Sequence, residues 1–190
     1  MAHTVNPAIA ANRTDDDLVR SATLGDRGAF DDIVRKHGPA MYRYALNMLS
    51  DPGAAEEAVQ DAFVAAWKGL DDFRSDAKLR TWLFGITAHK SIDARRRRIP
   101  KPTEDWIFET VVADASSGPE AQLSGSEFLS ALREALATLP ERQRACWLLR
   151  EVEGLSQVEI GQILKMSPGA VRGQLNRART ALRERMATWQ

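Results

Sequence analysis

Residues 155–185, LSQVEIGQILKMSPGAVRGQLNRARTALRER, contain two helix starts separated by a short turn. Ser156 stands three residues before Glu159, which is the spacing of a capping box, where each side chain accepts a hydrogen bond from the other residue's backbone N–H. Ser167 marks a second start, because Pro168 follows it at the first helical position, where its missing N–H costs nothing. The segment therefore predicts two short helices joined by a tight turn.

The second of these helices has one apolar and one cationic face. Its apolar residues recur at spacings of four and three: Val171, Leu175, Ala178 and Leu182. Its polar face carries Arg172, Asn176, Arg179 and Arg183, with Arg177 beside them. Such a helix, preceded by a short helix and a turn, fits the major groove of DNA. The alternative is a basic amphipathic helix that ends a helical bundle, but the two caps and the proline favour DNA binding.

The composition is balanced overall, with 26 basic and 26 acidic residues among 190, but the charges are unevenly distributed. Residues 74–101 hold 9 Lys and Arg against 2 Asp and Glu, so two separate basic segments can contact a polyanion. Cys146 is the single cysteine, which excludes an internal disulfide and indicates a reducing compartment. We find no apolar run long enough for membrane insertion and no hydrophobic signal core, so we expect a cytoplasmic protein.

Helical periodicity recurs along the chain and no useful strand pattern is found, so the predicted fold class is all-α. Residues 99–126 interrupt the pattern with three prolines, two glycines and a serine cluster. The predicted layout is a disordered tail over residues 1–14, a small helical domain over 15–98, an acidic flexible linker over 99–126 and a second small helical domain over 127–190. In the first domain, residues 29–36 and 41–49 are predicted as separate helices.

The second basic segment ends a helix predicted over residues 79–98, which finishes in four consecutive arginines. Lys90, Trp82 and Phe84 lie on the same helix, and Phe73 precedes it. Cations that bind phosphates, combined with aromatic faces that stack on bases, are typical of single-stranded DNA binding. Two alternatives stay open: one is that Trp82 belongs to the core, and the other is that the arginines complement the dipole at the C-terminus of the helix.

Together these segments resemble the extracytoplasmic-function (ECF, group 4) sigma factors of bacterial RNA polymerase. AEEAVQDAFVAAW, residues 55–67, is similar to the polymerase-binding helix of that family, and residues 73–98 are similar to its promoter-melting and −10 segment. Residues 139–164 and 167–183 are similar to its −35 reader. The resemblance covers sigma region 2 over about 15–98 and sigma region 4 over about 127–186. It implies an all-helical sigma factor that directs promoter-specific initiation and has no catalytic chemistry of its own.

The resemblance also implies three sets of binding residues. The set that contacts the clamp of the largest polymerase subunit is Glu56, Gln60, Asp61, Phe63 and Trp67. The set that contacts the −10 element is Arg74, Ser75, Asp76, Lys78, Arg80, Trp82, His89, Lys90, Arg95, Arg96 and Arg97. The set that contacts the −35 element is Ser167, Arg172, Gly173, Gln174, Asn176, Arg177 and Arg179. We expect Phe63 and Trp67 to be partly core, with Gln60 and Asp61 facing the partner.

The chain departs from the family pattern at several positions. Ser75 and Gly85 replace a frequent Gly and Arg, and His89 stands where Asn is usual. Lys165 occupies a turn position where Gly is usual and where a positive φ is expected. Gly173 has no side chain, so base reading there must come from its neighbours or from close backbone approach.

The resemblance implies core RNA polymerase, through its clamp and flap, and promoter DNA as partners, together with an anti-sigma factor that could hold the chain at the membrane. It implies no cofactor and no metal. One rival is a two-domain repressor or activator that binds an operator without polymerase. The other is an enzyme, but the three histidines are scattered, and Asp15, Asp16 and Asp17 are better explained as acids at a helix start than as a metal site.

Overall fold

The computed structural model of the chain describes residues 13–73, 78–98 and 125–187, and every regular element in these ranges is helical, which confirms the all-α class. The N-terminal unit, residues 13–98, contains α1 Asp15–Thr23, α2 Arg27–Leu49, α3 Pro52–Gly69, a 3₁₀ turn at Leu70–Asp72, and α4 Leu79–Arg98. The C-terminal unit, residues 125–187, contains α5 Gly125–Ala137, α6 Glu141–Trp147, α7 Gln157–Leu164 and α8 Pro168–Arg185. A π-helical turn at Leu148–Val152 continues α6.

Three predicted features fall on residues outside the described ranges. They are the tail up to residue 12, the loop residues 74–77 and the linker from 99 to 124. The predicted −10 residues Arg74, Ser75 and Asp76 are among them.

Side-chain caps begin α1 and α3. Thr14 forms a capping box with Asp17, whose backbone N–H donates to the Thr14 hydroxyl at 3.2 Å. The Asp51 carboxylate accepts from the backbone N–H of Ala54 at 2.7 Å, and Pro52 stands at the first helical position, where no N–H is needed. These caps satisfy backbone donors that would otherwise lack an intrahelical partner.

The prediction of two helices over residues 29–36 and 41–49 is wrong, because α2 runs unbroken through Pro39. Proline inside a helix removes one backbone hydrogen bond and crowds the preceding turn. Ile33 and Met41, on either side of it, are both fully buried in the core of the N-terminal unit. Burial of this apolar stripe outweighs the local cost of the proline.

The core of the N-terminal unit lies between α1, α2, α3 and the start of α4. Small residues on the inner face of α3 let the neighbouring helices approach closely: Ala55, Ala62 and Ala66. Larger apolar side chains fill the space between them, among them Leu18, Ile33, Met41 and Leu83. This packing sets the relative positions of α3 and α4, which carry two of the predicted binding sets.

The helix-turn-helix predicted in the C-terminal unit is confirmed. Ser156 and Glu159 form the reciprocal capping box of α7, with the Ser156 N–H donating to the Glu159 carboxylate at 2.8 Å. Ser167 caps α8 by accepting from Ala170 N–H at 3.2 Å, and Pro168 follows it. Lys165, in the turn, has the expected positive φ of 52°.

Cys146 is fully buried in this unit. Burial raises the pKa of its thiol to about 11, so the thiol is protonated at neutral pH.

The two units are packed against each other along a shared apolar cluster. Tyr44, Met48 and Phe84 of the N-terminal unit lie in one buried cluster with Leu148 and Ile160 of the C-terminal unit. The sequence predicted two small domains but gave no sign of this contact. No helix in the described ranges is both long enough and apolar enough to cross a membrane.

Gly161 determines how tightly the turn between α7 and α8 can close. A Cβ atom at this position would lie 2.6 Å from the carbonyl oxygen of Met166, which is a backbone atom. We therefore expect Gly161→Ala to lower the free energy of unfolding by about 1–3 kcal/mol, since the turn must shift to relieve the overlap. Urea unfolding followed by circular dichroism measures this change.

Gly169→Ala is the matched control, because a Cβ at Gly169 would meet nothing within 4 Å. Alanine is favoured over glycine in a helix by about 0.5–1 kcal/mol, so this variant should be as stable as the parent or more so. Equal stabilities for the two variants would contradict the close approach at Gly161.

Candidate nucleic-acid interface

The cationic face of α8 is directed away from the core of the C-terminal unit. Val171, Leu175 and Ala178 are buried and hold the helix against α6 and α7. The predicted −35 residues on the other side are exposed or half-buried: Ser167, Arg172, Asn176, Arg177 and Arg179 are exposed, and Gly173 and Gln174 are half-buried. The helix therefore presents a continuous polar surface that a DNA groove can approach.

Arg177 lies over Gly173. A Cβ atom at Gly173 would be 3.7 Å from both terminal nitrogens of the Arg177 guanidinium. These are ordinary contact distances, so Arg177 is the side chain that lies next to the position where Gly173 itself offers none. Arg179, by contrast, is bound within the unit, because its Nη2 donates to Glu151 Oε1 at 2.7 Å.

The described residues predicted to contact the −10 element are divided between two sides of α4. On one side, His89 is exposed and its Nδ1 lies 2.7 Å from the Gly85 carbonyl. A carbonyl can only accept, so Nδ1 carries the proton in the neutral ring and Nε2 is left as an acceptor. Arg97 is also exposed, and its Nε donates to the Asp93 carbonyl at 3.4 Å.

Lys78 and Trp82 lie at the start of α4, directly after residues 74–77, which are outside the described ranges. Lys78 is exposed, and its carbonyl accepts from the backbone N–H of Trp82 at 3.1 Å. Trp82 is half-buried, and its ring centroid lies 5.0 Å from that of Phe73. Part of the Trp82 side chain therefore packs in the unit and part is open to solvent, which combines the two interpretations left open by the sequence.

On the other side of α4, three predicted −10 residues contact the C-terminal unit. Arg80 Nη2 lies 2.9 Å from Glu153 Oε2, and Arg96 Nη2 lies 3.0 Å from Glu141 Oε1. Arg95 Nη2 donates at 3.5 Å to the carbonyls of two residues at the end of α5 and beyond it, Ala137 and Leu139. The sequence did not predict that these arginines of α4 would contact the C-terminal unit.

The third predicted set lies along α3 and forms a mixed polar and aromatic surface. Glu56, Gln60 and Asp61 are exposed, and Trp67 is 42% exposed. Phe63 is half-buried, and Phe30 makes edge-to-face contacts with it and with Trp67, at centroid distances of 6.3 and 4.9 Å. This agrees with the expectation that the aromatic residues are partly core while the polar residues face outward.

Val64 was missed by the sequence analysis. It is 54% exposed and stands four residues after Gln60 and three before Trp67, so the three residues share one face of α3. An aliphatic residue on the polar side of a helix was the signal that could have identified it. A salt bridge also joins this helix to α4, since Lys90 Nζ lies 3.7 Å from Asp61 Oδ2.

The sequence also missed two buried charges at the contact between the units. The Glu153 side chain is 0% exposed, and Arg43 of α2 reaches it at 3.1 Å in addition to Arg80. Arg144 is buried and donates to the Met48 carbonyl at 2.9 Å and to the Ser50 hydroxyl at 3.0 Å. Burial, and then the neighbouring Arg95 guanidinium, lower the pKa of Arg144 to about 9.

The acids at the start of α1 have structural partners. Asp15 Oδ1 lies 2.8 Å from Lys36 Nζ and 3.1 Å from His37 Nε2, and Asp17 belongs to the capping box of Thr14. Within the described ranges, no group of three or more His, Cys, Asp or Glu side chains is arranged to hold a metal ion.

Two family models match the chain, one in each unit. The model for Sigma-70 region 2 matches residues 33–99, and the model for Sigma-70, region 4 matches residues 129–182.

Similar proteins extend the match to both units at once. The chain is 34% identical over 172 residues to RNA polymerase sigma factor CnrH of Cupriavidus metallidurans, covering 87% of this chain and 90% of CnrH. It is 33% identical over 177 residues to the ECF RNA polymerase sigma-E factor of Escherichia coli K12, covering 89% and 92%. Among solved structures, CnrH in complex with the cytosolic domain of CnrY is similar with a TM-score of 0.70 and 29% identity, covering 92% of this chain and 97% of that one.

Proposed function

This chain belongs to the extracytoplasmic-function family of sigma-70 factors and is therefore an RNA polymerase sigma factor, and we propose that three of its surfaces each bind a different partner. The α3 surface binds core polymerase, the loop at residues 74–78 with the outer side of α4 captures the −10 strand, and α8 reads the −35 duplex. The observation that carries this proposal is that the described residues of each surface lie within a matched sigma region, and that the α3 surface, the α8 surface and the outer side of α4 are open to solvent.

The α3 surface has the composition of a protein interface. Trp67 and Val64 supply exposed apolar area, and Phe30 fixes the orientation of the tryptophan. Aromatic residues are enriched at the centre of interfaces, and polar residues surround them. Glu56, Gln60 and Asp61 provide that polar rim and suit a basic surface on the clamp of the largest polymerase subunit.

The α8 surface has the donors needed for base reading. Arginine recognises guanine through O6 and N7, and glutamine recognises adenine through N6 and N7. Arg172 and Gln174 have these groups, and Arg177 reaches across the position of Gly173 to add a second guanidinium. Ser167 and the N-terminus of α8 are placed to contact phosphate, as helix N-termini commonly do.

The −10 strand is assigned to the loop and to the outer side of α4. Lys78, His89, Lys90 and Arg97 offer cations and a hydrogen-bonding ring, and the open part of Trp82 offers a stacking surface. A duplex must be opened before a base can stack on a side chain, so this surface acts after melting has begun.

Regulation by an anti-sigma factor completes the proposal. Among the similar solved structures, the sigma factor RpoE of Bartonella quintana is in complex with the anti-sigma factor NepR, with a TM-score of 0.65 over 83% of this chain, and CnrH is in complex with the cytosolic domain of CnrY. We assign the chain to the cytoplasm and give it no catalytic reaction of its own. A repressor that binds an operator without polymerase would leave the α3 surface without a role, and a gel shift with and without core polymerase separates the two functions.

Replacing Arg172 and Arg177 together by alanine should abolish −35-dependent transcription. Each bidentate arginine–guanine contact contributes about 1–3 kcal/mol, so we expect run-off transcription from a −35-dependent promoter to fall at least tenfold. Core binding should be unchanged, because α8 is remote in sequence from the α3 surface. Purified core polymerase and a promoter library provide the assay.

Arg185→Ala is the control, since this arginine is exposed on the same helix but lies outside both the cationic face that carries Arg172 and the predicted −35 set. This variant should retain most of the activity. An equal loss in the control, or a loss of core binding in the test variant, would show that the faces of α8 are misassigned.

Val64→Glu should weaken binding to core polymerase. A carboxylate in the centre of the α3 surface must be desolvated in the complex, at a cost of about 1–3 kcal/mol or more, so we expect the Kd for core to rise at least tenfold. Fluorescence anisotropy of the labelled chain with purified core measures this.

Leu24→Glu is the matched control, because Leu24 is an aliphatic residue of the same unit that is 84% exposed and lies outside α3. Its Kd for core should stay within about twofold of the parent value, or about 0.4 kcal/mol. Equal weakening by the two substitutions would contradict the assignment of the α3 surface.

A further inference from the structure

Four buried side-chain atoms meet no hydrogen-bond partner within the described residues, and every one of them can donate a hydrogen bond. They are Tyr44 Oη, Ser91 Oγ, Arg95 Nη1 and Arg144 Nε. They belong to α2, α4 and α6, which all contribute side chains to one buried apolar cluster. We infer that these donors form a binding site for a small, singly charged inorganic anion such as chloride.

Arg144 is anchored at the end of α2 by two of the three nitrogens of its guanidinium. Nη1 donates to the Met48 carbonyl at 2.9 Å, and Nη2 donates to the Ser50 hydroxyl at 3.0 Å. The residue is 3% exposed, and its Nε–H has no acceptor within the described part of the chain. A buried charged donor without an acceptor keeps its full desolvation cost, so this N–H favours a ligand that accepts hydrogen bonds.

Arg95 brings a second positive charge to the same place. Its Nη2 lies 3.5 Å from the carbonyl oxygens of Ala137 and Leu139, at the long end of the hydrogen-bonding range, while its Nη1 is buried and unpaired among the described residues. After burial itself, the charge of Arg95 is the next cause of the lowered pKa of Arg144, so the two guanidinium groups lie close enough to repel each other. An anion bound between them would offset this repulsion.

Tyr44 and Ser91 add two hydroxyl donors, and both residues are 0% exposed. Ser91 precedes Arg95 by four residues, so the two share one side of α4. The Tyr44 ring packs edge-to-face on Phe84 of α4 at a centroid distance of 5.8 Å, and its hydroxyl lies within electrostatic reach of Arg144. Burial raises the pKa of Tyr44, so the hydroxyl keeps its proton and can donate it in a hydrogen bond.

The charges around these donors favour an anion over water. A water molecule would accept hydrogen bonds but would leave the two guanidinium charges uncompensated. Glu141 is near enough to act on both Arg95 and Tyr44, but its Oε1 lies 3.0 Å from Arg96 Nη2 and pairs with that group. Because one carboxylate is already nearby, and because the desolvation cost of an ion rises steeply with its charge, one further negative charge suits the site better than two.

Urea unfolding of the full-length chain in chloride and in gluconate tests the inference. Potassium chloride replaces potassium gluconate at constant ionic strength, and gluconate is too large for a site enclosed by four side chains. Chloride should lower the unfolding equilibrium constant of the parent by about tenfold, which is the effect expected when its concentration is about ten times the Kd. Circular dichroism follows the transition.

Tyr44→Phe and Ser91→Ala each remove one donor and leave both arginines in place. Hydrogen bonds to charged groups are the strong ones, so each variant should need about tenfold more chloride than the parent for the same stabilisation. In gluconate alone, both variants should be at least as stable as the parent, because each lacks a buried donor that has no protein partner. A purely structural role for these hydroxyls would instead make the variants less stable in both salts.

Matched controls make the same two changes elsewhere in the chain. Tyr42→Phe removes a hydroxyl from a half-buried tyrosine of α2 that packs against the core of the N-terminal unit. Ser130→Ala removes a hydroxyl from an exposed position of α5. Both controls should keep the chloride dependence of the parent.

Two outcomes of the unfolding measurements would overturn the inference. Equal stability of the parent in chloride and in gluconate would show that the four donors hold no anion. A chloride dependence that survives in both Tyr44→Phe and Ser91→Ala, or that Tyr42→Phe abolishes to the same extent, would show that chloride binds elsewhere.

Crystals of the full-length chain grown in bromide locate the ligand directly, since bromide resembles chloride and scatters X-rays anomalously. We expect an anomalous peak within hydrogen-bonding distance of Arg144 Nε and Arg95 Nη1. Density at that point without an anomalous signal would identify water and overturn the inference. Neither measurement uses polymerase or DNA, so the result is independent of the proposed function.

Discussion

The apolar cluster shared by the two units is the contact on which the arrangement of this chain depends. Neither unit is large, and both contribute to one buried cluster: Phe84 on α4 packs edge-to-face on Tyr44 of its own unit and lies in the same cluster as Ile160 on α7. Small domains bury a limited share of their surface, so a common core contributes substantially to the stability of both units. The charges around it, with Glu153 at their centre, then determine the register in which the units meet.

The three surfaces to which we assign binding are positioned by different physical means. On α8, a buried stripe holds the helix and leaves the cationic face outward, so the surface proposed to read the −35 element follows from amphipathicity alone. On α3, alanines against the core allow close packing while aromatic residues remain at the margin. On α4, both sides are used, one toward solvent and one toward the C-terminal unit. The contacts of the α4 cations therefore depend on the relative position of the units, whereas the exposure of the cationic face of α8 does not.

The sequence predicted the features that depend on neighbours three or four residues apart. The capping box of Ser156 and Glu159, the start at Ser167, and the outward face of α8 are all of this kind, and the structure confirms them. The prediction for α2 was wrong at Pro39, because the cost of a proline inside the helix is outweighed by burial of the apolar residues on either side of it. The Arg43–Glu153 contact joins residues 110 positions apart, and the periodicity of neither segment predicts that they lie close together. The family resemblance predicted the three sets of binding residues. It did not predict which cations of α4 would contact the C-terminal unit.

The buried state of Cys146 has a consequence for how such a chain can respond to its surroundings. The thiolate is the form of cysteine that oxidants and electrophiles attack, and here it is both covered by the core and disfavoured by a pKa of about 11. Since the sequence contains one cysteine, the polypeptide has no second thiol with which to form an internal bridge. A stimulus that oxidises thiols is accordingly expected to act on another molecule and to reach this chain as a change in binding.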